Sequence, residues 1–177
     1  MEKSVTEAIN YRRSVRKFDP NKEIDSKIVK KCIENAVLAP TSSNLQLWEF
    51  FHITNKELLI KLSKTCFNQP AASTAKQIIV VVTRKDLWKK RANQNINFFD
   101  SKRDKLTKKQ YDLTRKYYNK AVPLVYKDFL GIFSYFKYLF ANFLGFFRVM
   151  YRQLRRSDTR IVAHKSAALA SQNFMIS

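Results

Sequence analysis

The stretch that decides the fold is Arg12-Arg13-Ser14-Val15-Arg16-Lys17-Phe18, where a helical pattern gives way to an extended one. Before it, Ser4 and Glu7 have the spacing of a capping box, which predicts a short helix that delivers the arginines at its far end. Guanidinium groups bind phosphate oxygens in pairs, and a neighbouring serine adds another donor. The stretch is therefore either an anion-binding site or the solvated, basic end of a helix.

The charge balance favours partners that carry phosphate. The 177 residues contain 34 Lys and Arg against 14 Asp and Glu, a formal net charge of +20. Nucleic acid, an anionic membrane and a phosphorylated cofactor all fit that charge. The cations are spread along the chain without a dominant block, so no nucleic acid partner is expected. The length and a hydrophobic content of 45% predict one domain over residues 1–177.

Glycine usage excludes the common phosphate loops. The only glycines are Gly131 and Gly145, so the Gly-rich loops of nucleotide-binding proteins are absent and any phosphate must be held by side chains. The two cysteines and the absence of an apolar N-terminal signal favour the reducing cytoplasm. His52 has no second ligand at a suitable spacing, so we predict no metal site and interpret it as a structural histidine.

The hydrophobic pattern alternates between helices and strands, which predicts a layered α/β or α+β fold. An apolar stripe from Ile28 to Val37 predicts a helix that ends at Pro40, and the polar loop 41–44 leads into a strand over 48–53. Five consecutive β-branched residues, 78–82, predict a central strand covered on both faces. Other segments are expected to form a helix at 57–65, surface helices over 86–118, and a final helix from Ser157 or Asp158 that is apolar almost all round.

Residues 129–147 are unusually rich in aromatic side chains, and Lys137 is their only charged residue. A membrane span, a helix at the membrane surface and an insertion that covers a pocket all remain open. Ser134, Lys137 and Asn142 in the middle of the segment argue against a span. We favour the pocket cover and leave weak contact with a membrane surface open.

Four stretches in order resemble the FMN-dependent nitroreductases. Arg12–Phe18 resembles the phosphate-binding motif of that family, and Ala39–Trp48 (APTSSNLQLW) resembles its second flavin-contacting loop. Gln77–Val82 resembles its central strand, and His164–Met175 resembles the long helix at its dimer core. The aromatic segment, at about residues 126–151, corresponds to an insertion near the active site in one branch of the family.

The resemblance implies an α+β fold with a central, mostly antiparallel sheet, and an intertwined homodimer with two FMN sites at its interface. Hydride would pass from NAD(P)H to FMN and then to a nitroaromatic, quinone or related acceptor by a ping-pong mechanism, without a catalytic group from the protein. By this resemblance, Arg12, Arg13 and Ser14 would hold the phosphate and the ribityl edge of FMN. The second subunit would line the flavin with Pro40, Thr41, Ser42 and Asn44, and Gln69 would add a polar contact at the ring edge. Arg16, near the pyrimidine edge, would raise the reduction potential of the flavin.

Two departures from the family accompany this resemblance. Leu47 replaces a proline between the glutamine and the tryptophan, which is expected to loosen the loop. Family members also continue beyond the dimer helix into segments that complete the flavin site, so a wall of the site is expected to be missing. One alternative is therefore a truncated, catalytically impaired protein of the reductase fold. A second alternative, which rests on the charge of +20 and the aromatic segment, is a basic protein that binds nucleic acid or a membrane surface.

Overall fold

The computed structural model describes residues 4–149, 152 and 154–177, and internal contacts divide the chain into two compact units. The first unit comprises Met1–Ala39, Glu49–Val82 and Ala167–Ser177, and the second comprises Pro40–Trp48 and Thr83–Ser166. The single domain over residues 1–177 stays a prediction. So do the bounds of the insertion at about 126–151, of which residues 150 and 151 lie outside the described residues.

Among its described residues, the first unit contains four whole helices, the end of the last helix of the chain and most of a strand pair. Its elements are α1 (Val5–Tyr11), α2 (Ser26–Ala36), β1 (Trp48–Ile53), α3 (Lys56–Thr65), α4 (Pro70–Ser73) and β2 (Ile78–Thr83). The capping box of Ser4 and Glu7 is present at the start of α1, as predicted. Asp25 caps α2 by accepting the backbone N–H of Lys27 at 2.9 Å. Local sequence signals therefore set both helix starts.

The two strands form a two-stranded sheet. The N–H of Arg84, just after β2, donates to the carbonyl of Leu47, just before β1, at 2.9 Å, so the strands run antiparallel. The prediction that β2 is a central strand covered on both faces is wrong for the part of the chain described here. Every residue of β2 is only half-buried, and the strand pairs with β1 alone.

The second unit is built from helices. They are α5 (Trp88–Asp100), α6 (Lys108–Lys116), α7 (Val122–Tyr126), α8 (Ile132–Leu144) and the first half of α9 (Arg156–Ile176). A π-helical turn, Tyr117–Ala121, joins α6 to α7. The core of the unit consists of Leu45, Leu47, Ala92, Ile96, Tyr118, Val122, Tyr126 and Ala163. Residues 86–118, which the sequence predicts to form surface helices and connections, therefore also contribute Ala92, Ile96 and Tyr118 to the core.

Helix α8 begins without a side-chain cap of its own. Leu130 and Gly131 turn the chain with φ values of 50° and 90°, and Gly131, as the N-cap residue, has no side chain to offer. Instead, Asp128 accepts the backbone N–H of Ser134 in the first turn at 2.9 Å. Partial burial acts to raise the pKa of Asp128, but the hydrogen bonds from Ser134 and the nearby lysine ammonium groups outweigh it. The pKa therefore lies below its ordinary value.

The single charge in the aromatic segment has a structural role. The Nζ of Lys137 donates to the backbone carbonyls of Leu124 at 2.8 Å and Lys127 at 2.9 Å. These carbonyls lie at the end of α7, where a helix leaves acceptors without partners. Lys137 therefore fastens α8 to the end of α7.

The exposed face of α8 is aromatic. Phe136, Phe140 and Phe143 are 63%, 64% and 60% exposed, respectively. Within the described residues, no helix combines the length and apolarity needed to cross a bilayer. The pocket cover and the weak membrane-surface contact stay predictions.

We predict that Asp128→Asn makes the stability of the protein less dependent on pH. A depressed folded-state pKa stabilises the fold above the unfolded-state value of about 3.9, and this contribution is lost as pH falls through the folded-state pKa. The free energy of unfolding of the variant should therefore be lower at pH 7, and the difference should shrink below pH of about 4. Urea denaturation from neutral to acidic pH measures this.

Asp112→Asn, at an exposed carboxylate of α6, makes the same charge change and is the control. A difference between Asp128→Asn and the wild type that stays constant over the whole pH range would contradict the role given to Asp128.

Candidate functional site

The loop from Thr41 to Gln46 closes on itself through short-range hydrogen bonds. The N–H of Asn44 donates to the carbonyl of Thr41 at 3.0 Å, and the N–H of Gln46 donates to the Thr41 hydroxyl at 3.0 Å. Ser42–Asn44 form a single 3₁₀ turn. The side chains of Ser42 and Asn44 are exposed, Thr41 is half-buried, and Pro40 precedes the turn on the surface.

The backbone of this loop is strained. Ser43, Asn44 and Gln46 have φ values of 55°, 47° and 47°, in the left-handed region. Asparagine tolerates that region, whereas for serine and glutamine it costs about 1–2 kcal/mol each. Strain of this kind persists only where the surrounding structure enforces it, and it is concentrated at functional sites. The loop is therefore the first candidate for a binding site.

Apolar anchors hold the C-terminal end of the loop. Leu45, Leu47 and Trp48 are 1%, 3% and 4% exposed, respectively. Leu45 and Leu47 lie in the core of the second unit, and the carbonyl of Leu47 accepts the N–H of Arg84. Leu47, which stands in place of the family's proline, is therefore anchored by burial, and the loosening of the loop stays a prediction.

Three side chains from distant positions hold the middle of the loop. The Nδ2 of Asn95 donates to the carbonyl of Asn44 at 2.9 Å, and the hydroxyl of Tyr118 donates to the carbonyl of Ser43 at 3.0 Å. The hydroxyls of Ser43 and Tyr117 lie 2.6 Å apart. Both carbonyls of the strained turn therefore accept hydrogen bonds from the body of the second unit.

A cavity of about 290 Å³ lies beside the loop. It is lined by Ser42, Ser43, Tyr117, Ala121, Val122, Val125, Tyr126, Thr159 and Val162. The lining combines valine and alanine side chains with hydroxyl groups, which suits a flat, mostly apolar group with a few polar atoms.

The structure places the stretch Arg12–Phe18, called the cationic stretch below, directly after α1, as predicted. Residues 12–16 have no regular secondary structure. Arg13, Ser14 and Arg16 are exposed, and Arg12 is half-buried in a surface cleft of about 720 Å³ next to Tyr11 and Asn35. The Nη1 of Arg13 donates to the carbonyl of Asn10 at 2.6 Å, so part of its guanidinium group caps α1. No hydrogen bond in the described structure joins these four side chains to one another.

The end of the cationic stretch is tied to α4. The N–H of Phe18 donates to the hydroxyl of Thr74 at 2.9 Å, and that hydroxyl donates to the carbonyl of Pro70 at 2.6 Å. Gln69, the weakest of the predicted contacts, is the exposed N-cap residue of the same helix. The first unit therefore brings Gln69 into the neighbourhood of Phe18, whereas Pro40, Thr41, Ser42 and Asn44 belong to the second unit.

His52 has the structural role that we predicted. Its Nε2 lies 2.6 Å from the Oε1 of Gln77, and the Nε2 of Gln77 donates to the carbonyl of Ile24 at 2.6 Å. The pair ties the strands to the segment that precedes α2.

Sequence reasoning missed Asn95, Tyr117 and Tyr118. A signal for Asn95 existed, because it follows the apolar positions Trp88 and Ala92 at helical spacing and so lies on the inner face of α5. No signal in the sequence marks the two tyrosines, because their approach to the loop depends on a π-helical turn.

The similarity of this chain to known proteins points to one family. A sequence model of the nitroreductase family matches residues 9–177. The protein DrgA of Synechocystis is 36% identical over 84 residues, which are 48% of this chain and 40% of DrgA. The chain therefore spans less than half the length of this relative.

Two solved structures have the same fold. A Staphylococcus epidermidis protein described as an NAD(P)H:FMN oxidoreductase has a TM-score of 0.70 at 18% identity, covering 99% of this chain and 68% of its own. An Exiguobacterium sibiricum protein, described as a nitroreductase in complex with FMN, has a TM-score of 0.61 at 22% identity. The match covers 99% of this chain and 69% of the Exiguobacterium chain. At these identities the likeness concerns the fold, and the predicted α+β nitroreductase-like fold is confirmed.

We predict that Ser43→Gly is more stable than Ser43→Ala by about 1 kcal/mol. Both variants lose the hydroxyl near Tyr117, but only glycine adopts a φ of 55° without cost. Chemical denaturation measures the difference. At Ser42, whose φ is not positive, the order should reverse, since glycine there only adds backbone entropy to the unfolded chain. Equal stability of the two Ser43 variants would contradict the strain at this position.

Proposed function

The chain belongs to the nitroreductase family, and on that premise we propose that it is an FMN-dependent oxidoreductase that transfers hydride from NAD(P)H to a small organic acceptor. The observation that carries the proposal is the family match over residues 9–177, which includes both the cationic stretch and the strained loop. The FMN complex of the Exiguobacterium protein and the NAD(P)H:FMN description of the Staphylococcus protein support the choice of cofactor and reductant.

The donor set of the cationic stretch fits the phosphate of FMN. Arg13 and Arg16 are exposed and Arg12 is half-buried, and no ion pair in the described structure joins any of them to a carboxylate. The charges of Arg12 and Arg13 are therefore free to bind a phosphate dianion, and the hydroxyl of Ser14 adds a donor. With Gly-rich loops absent from the sequence, these side chains would hold the phosphate and the start of the ribityl chain.

The donor set of the strained loop fits the remainder of FMN. Pro40, Thr41, Ser42 and Asn44 of the second subunit would line the flavin, and Gln69 would add a polar contact at the ring edge. Their hydroxyl and amide groups match a ligand that carries several hydroxyls and a polar ring edge. The valine and alanine lining of the neighbouring cavity would help to exclude water from an apolar ring.

Bound FMN supplies the hydride acceptor and donor, so no acid or base from the protein is required. The role of the protein is to bind the flavin, to orient it and to adjust its reduction potential. Arg16 would place a cation near the pyrimidine edge, where it stabilises negative charge and raises the reduction potential. The overall reaction consumes NAD(P)H, one proton and an acceptor, and gives NAD(P)⁺ and the acceptor reduced by two electrons. Nitroaromatics and quinones are the proposed acceptors, with the two half-reactions in ping-pong order.

We propose that the protein works as a homodimer. Helix α9 buries small residues such as Ala163, Ala167 and Ala170, whereas Leu169 and Met175 are 48% and 52% exposed. Large apolar side chains that are left exposed on this helix support a second copy of the chain as the partner. Sedimentation equilibrium tests this, and a monomer at micromolar concentration would contradict it.

We predict that Arg12→Ala and Arg16→Ala differ in their effect on the flavin. Arg12→Ala should weaken the binding of FMN by about tenfold or more, because a charge-assisted hydrogen bond is lost. Its binding of riboflavin, which lacks the phosphate, should hardly change. Arg16→Ala should mainly lower the midpoint potential of bound FMN. Fluorescence titration with both flavins and a redox titration measure these effects.

Wild-type protein that binds FMN and oxidises NAD(P)H with a quinone acceptor supports the full proposal. FMN binding without turnover would instead identify a protein of the reductase fold that is catalytically impaired. Lys22→Ala, at an exposed cation outside the stretch, is the control. If Arg12→Ala and Arg16→Ala lose FMN alike with no change in potential, the division of roles is wrong.

A further inference from the structure

The strained turn depends on hydrogen bonds that come from outside the loop. Its own bonds leave the carbonyls of Ser43 and Asn44 without partners in the loop. Asn95 reaches both, with its Nδ2 at 2.9 Å from the Asn44 carbonyl and 3.5 Å from the Ser43 carbonyl. Tyr118 makes the second bond to the Ser43 carbonyl, at 3.0 Å. A single amide group thus bridges two successive peptide groups of the left-handed turn.

Two consecutive tyrosines at the start of the π-helical turn reach one serine. In a regular α-helix, neighbouring side chains point about 100° apart, so two of them seldom reach the same target. A π turn widens the helix by one residue and is frequent at functional sites. Here the turn begins at Tyr117, and the rings of Tyr117 and Tyr118 meet edge to face at 5.3 Å. Tyr117 then contacts the hydroxyl of Ser43, and Tyr118 contacts its carbonyl.

The protonation of Tyr118 suits this role. The side chain is 8% exposed, and burial raises the pKa of its hydroxyl above the ordinary value. The hydroxyl therefore remains a donor to the Ser43 carbonyl across the physiological pH range. Asn95 donates at any pH. Both bonds thus persist under conditions in which an enzyme of this kind works.

We propose that Asn95, Tyr117 and Tyr118 are positioning residues that hold the Ser43 and Asn44 peptide groups in the conformation that receives the flavin. Without these bonds, Ser43 and Gln46 can relax from the left-handed region to the conformations they prefer. Relaxation would displace Ser42 and Asn44, the side chains proposed to contact the flavin. The flavin part of this inference rests on the proposed function, whereas the holding of the loop does not.

The variants Asn95→Asp and Tyr118→Phe test the proposal. Asn95→Asp keeps the shape of the side chain but replaces the donor with an oxygen that repels both carbonyls. Tyr118→Phe removes only a hydroxyl and is the milder change. If Asn95→Asp folds poorly, Tyr118→Phe alone still shows whether these hydrogen bonds hold the loop. Asn97→Asp, at an exposed position of the same helix, and Tyr135→Phe, at a ring that is 59% exposed, are matched controls.

The first measurement needs no flavin. Hydrogen exchange of the free protein is followed at the amides of Asn44, Leu45 and Gln46, which donate within the loop. We expect exchange about tenfold faster in both variants, which is the effect of losing one hydrogen bond, and no change in the controls. Unchanged exchange in Asn95→Asp and Tyr118→Phe would overturn the proposal.

The second measurement separates the loop from the phosphate site. Both variants should weaken the binding of FMN and of riboflavin by the same factor, about tenfold, because the loop serves the part that the two flavins share. A loop that exchanges faster while both affinities stay unchanged would overturn the role in flavin binding. If the wild type binds neither flavin, the proposed function fails, and the exchange experiment still decides whether these side chains hold the loop.

Discussion

The backbone of residues 43–46 takes left-handed conformations at Ser43, Asn44 and Gln46 without a glycine among them. The second unit is arranged so that this strain persists. Leu45 and Leu47 anchor the loop in the core, and side chains of α5 and of the π turn donate hydrogen bonds to its carbonyls. Because a peptide that prefers other conformations is held from two sides, the exposed hydroxyl and amide groups of the loop are kept in defined places.

The local parts of the fold could be predicted from the sequence because the signals lie within a few residues of each other. The capping box at Ser4, the N-cap at Asp25 and the apolar stripe of α2 all act over one or two helical turns. The pairing of β2 could not be predicted, because a run of β-branched residues indicates a strand but not how many strands adjoin it. The role of Lys137 could not be predicted either, because its hydrogen bonds to carbonyls at the end of α7 depend on how α8 packs against α7.

The candidate site divides in the same way. Residue type and order single out the arginines of the cationic stretch and the polar residues 41–44 as candidates, and the structure places the arginines after α1 and the polar residues in a strained turn. The side chains that support the loop were not recognised, since Asn95 lies about 50 residues from it and the tyrosines more than 70. Contacts over such separations depend on packing and on one irregular helical turn, neither of which a sequence pattern specifies.

The central proposal is that each flavin is held by the cationic stretch of one copy of the chain and the strained loop of a second copy. Hydrogen exchange of the wild-type protein with and without saturating FMN tests it most directly. The account predicts slower exchange in the peptides that cover residues 12–18 and 40–47, with no change in α6. Protein that retains FMN while both stretches exchange at their original rates would contradict it.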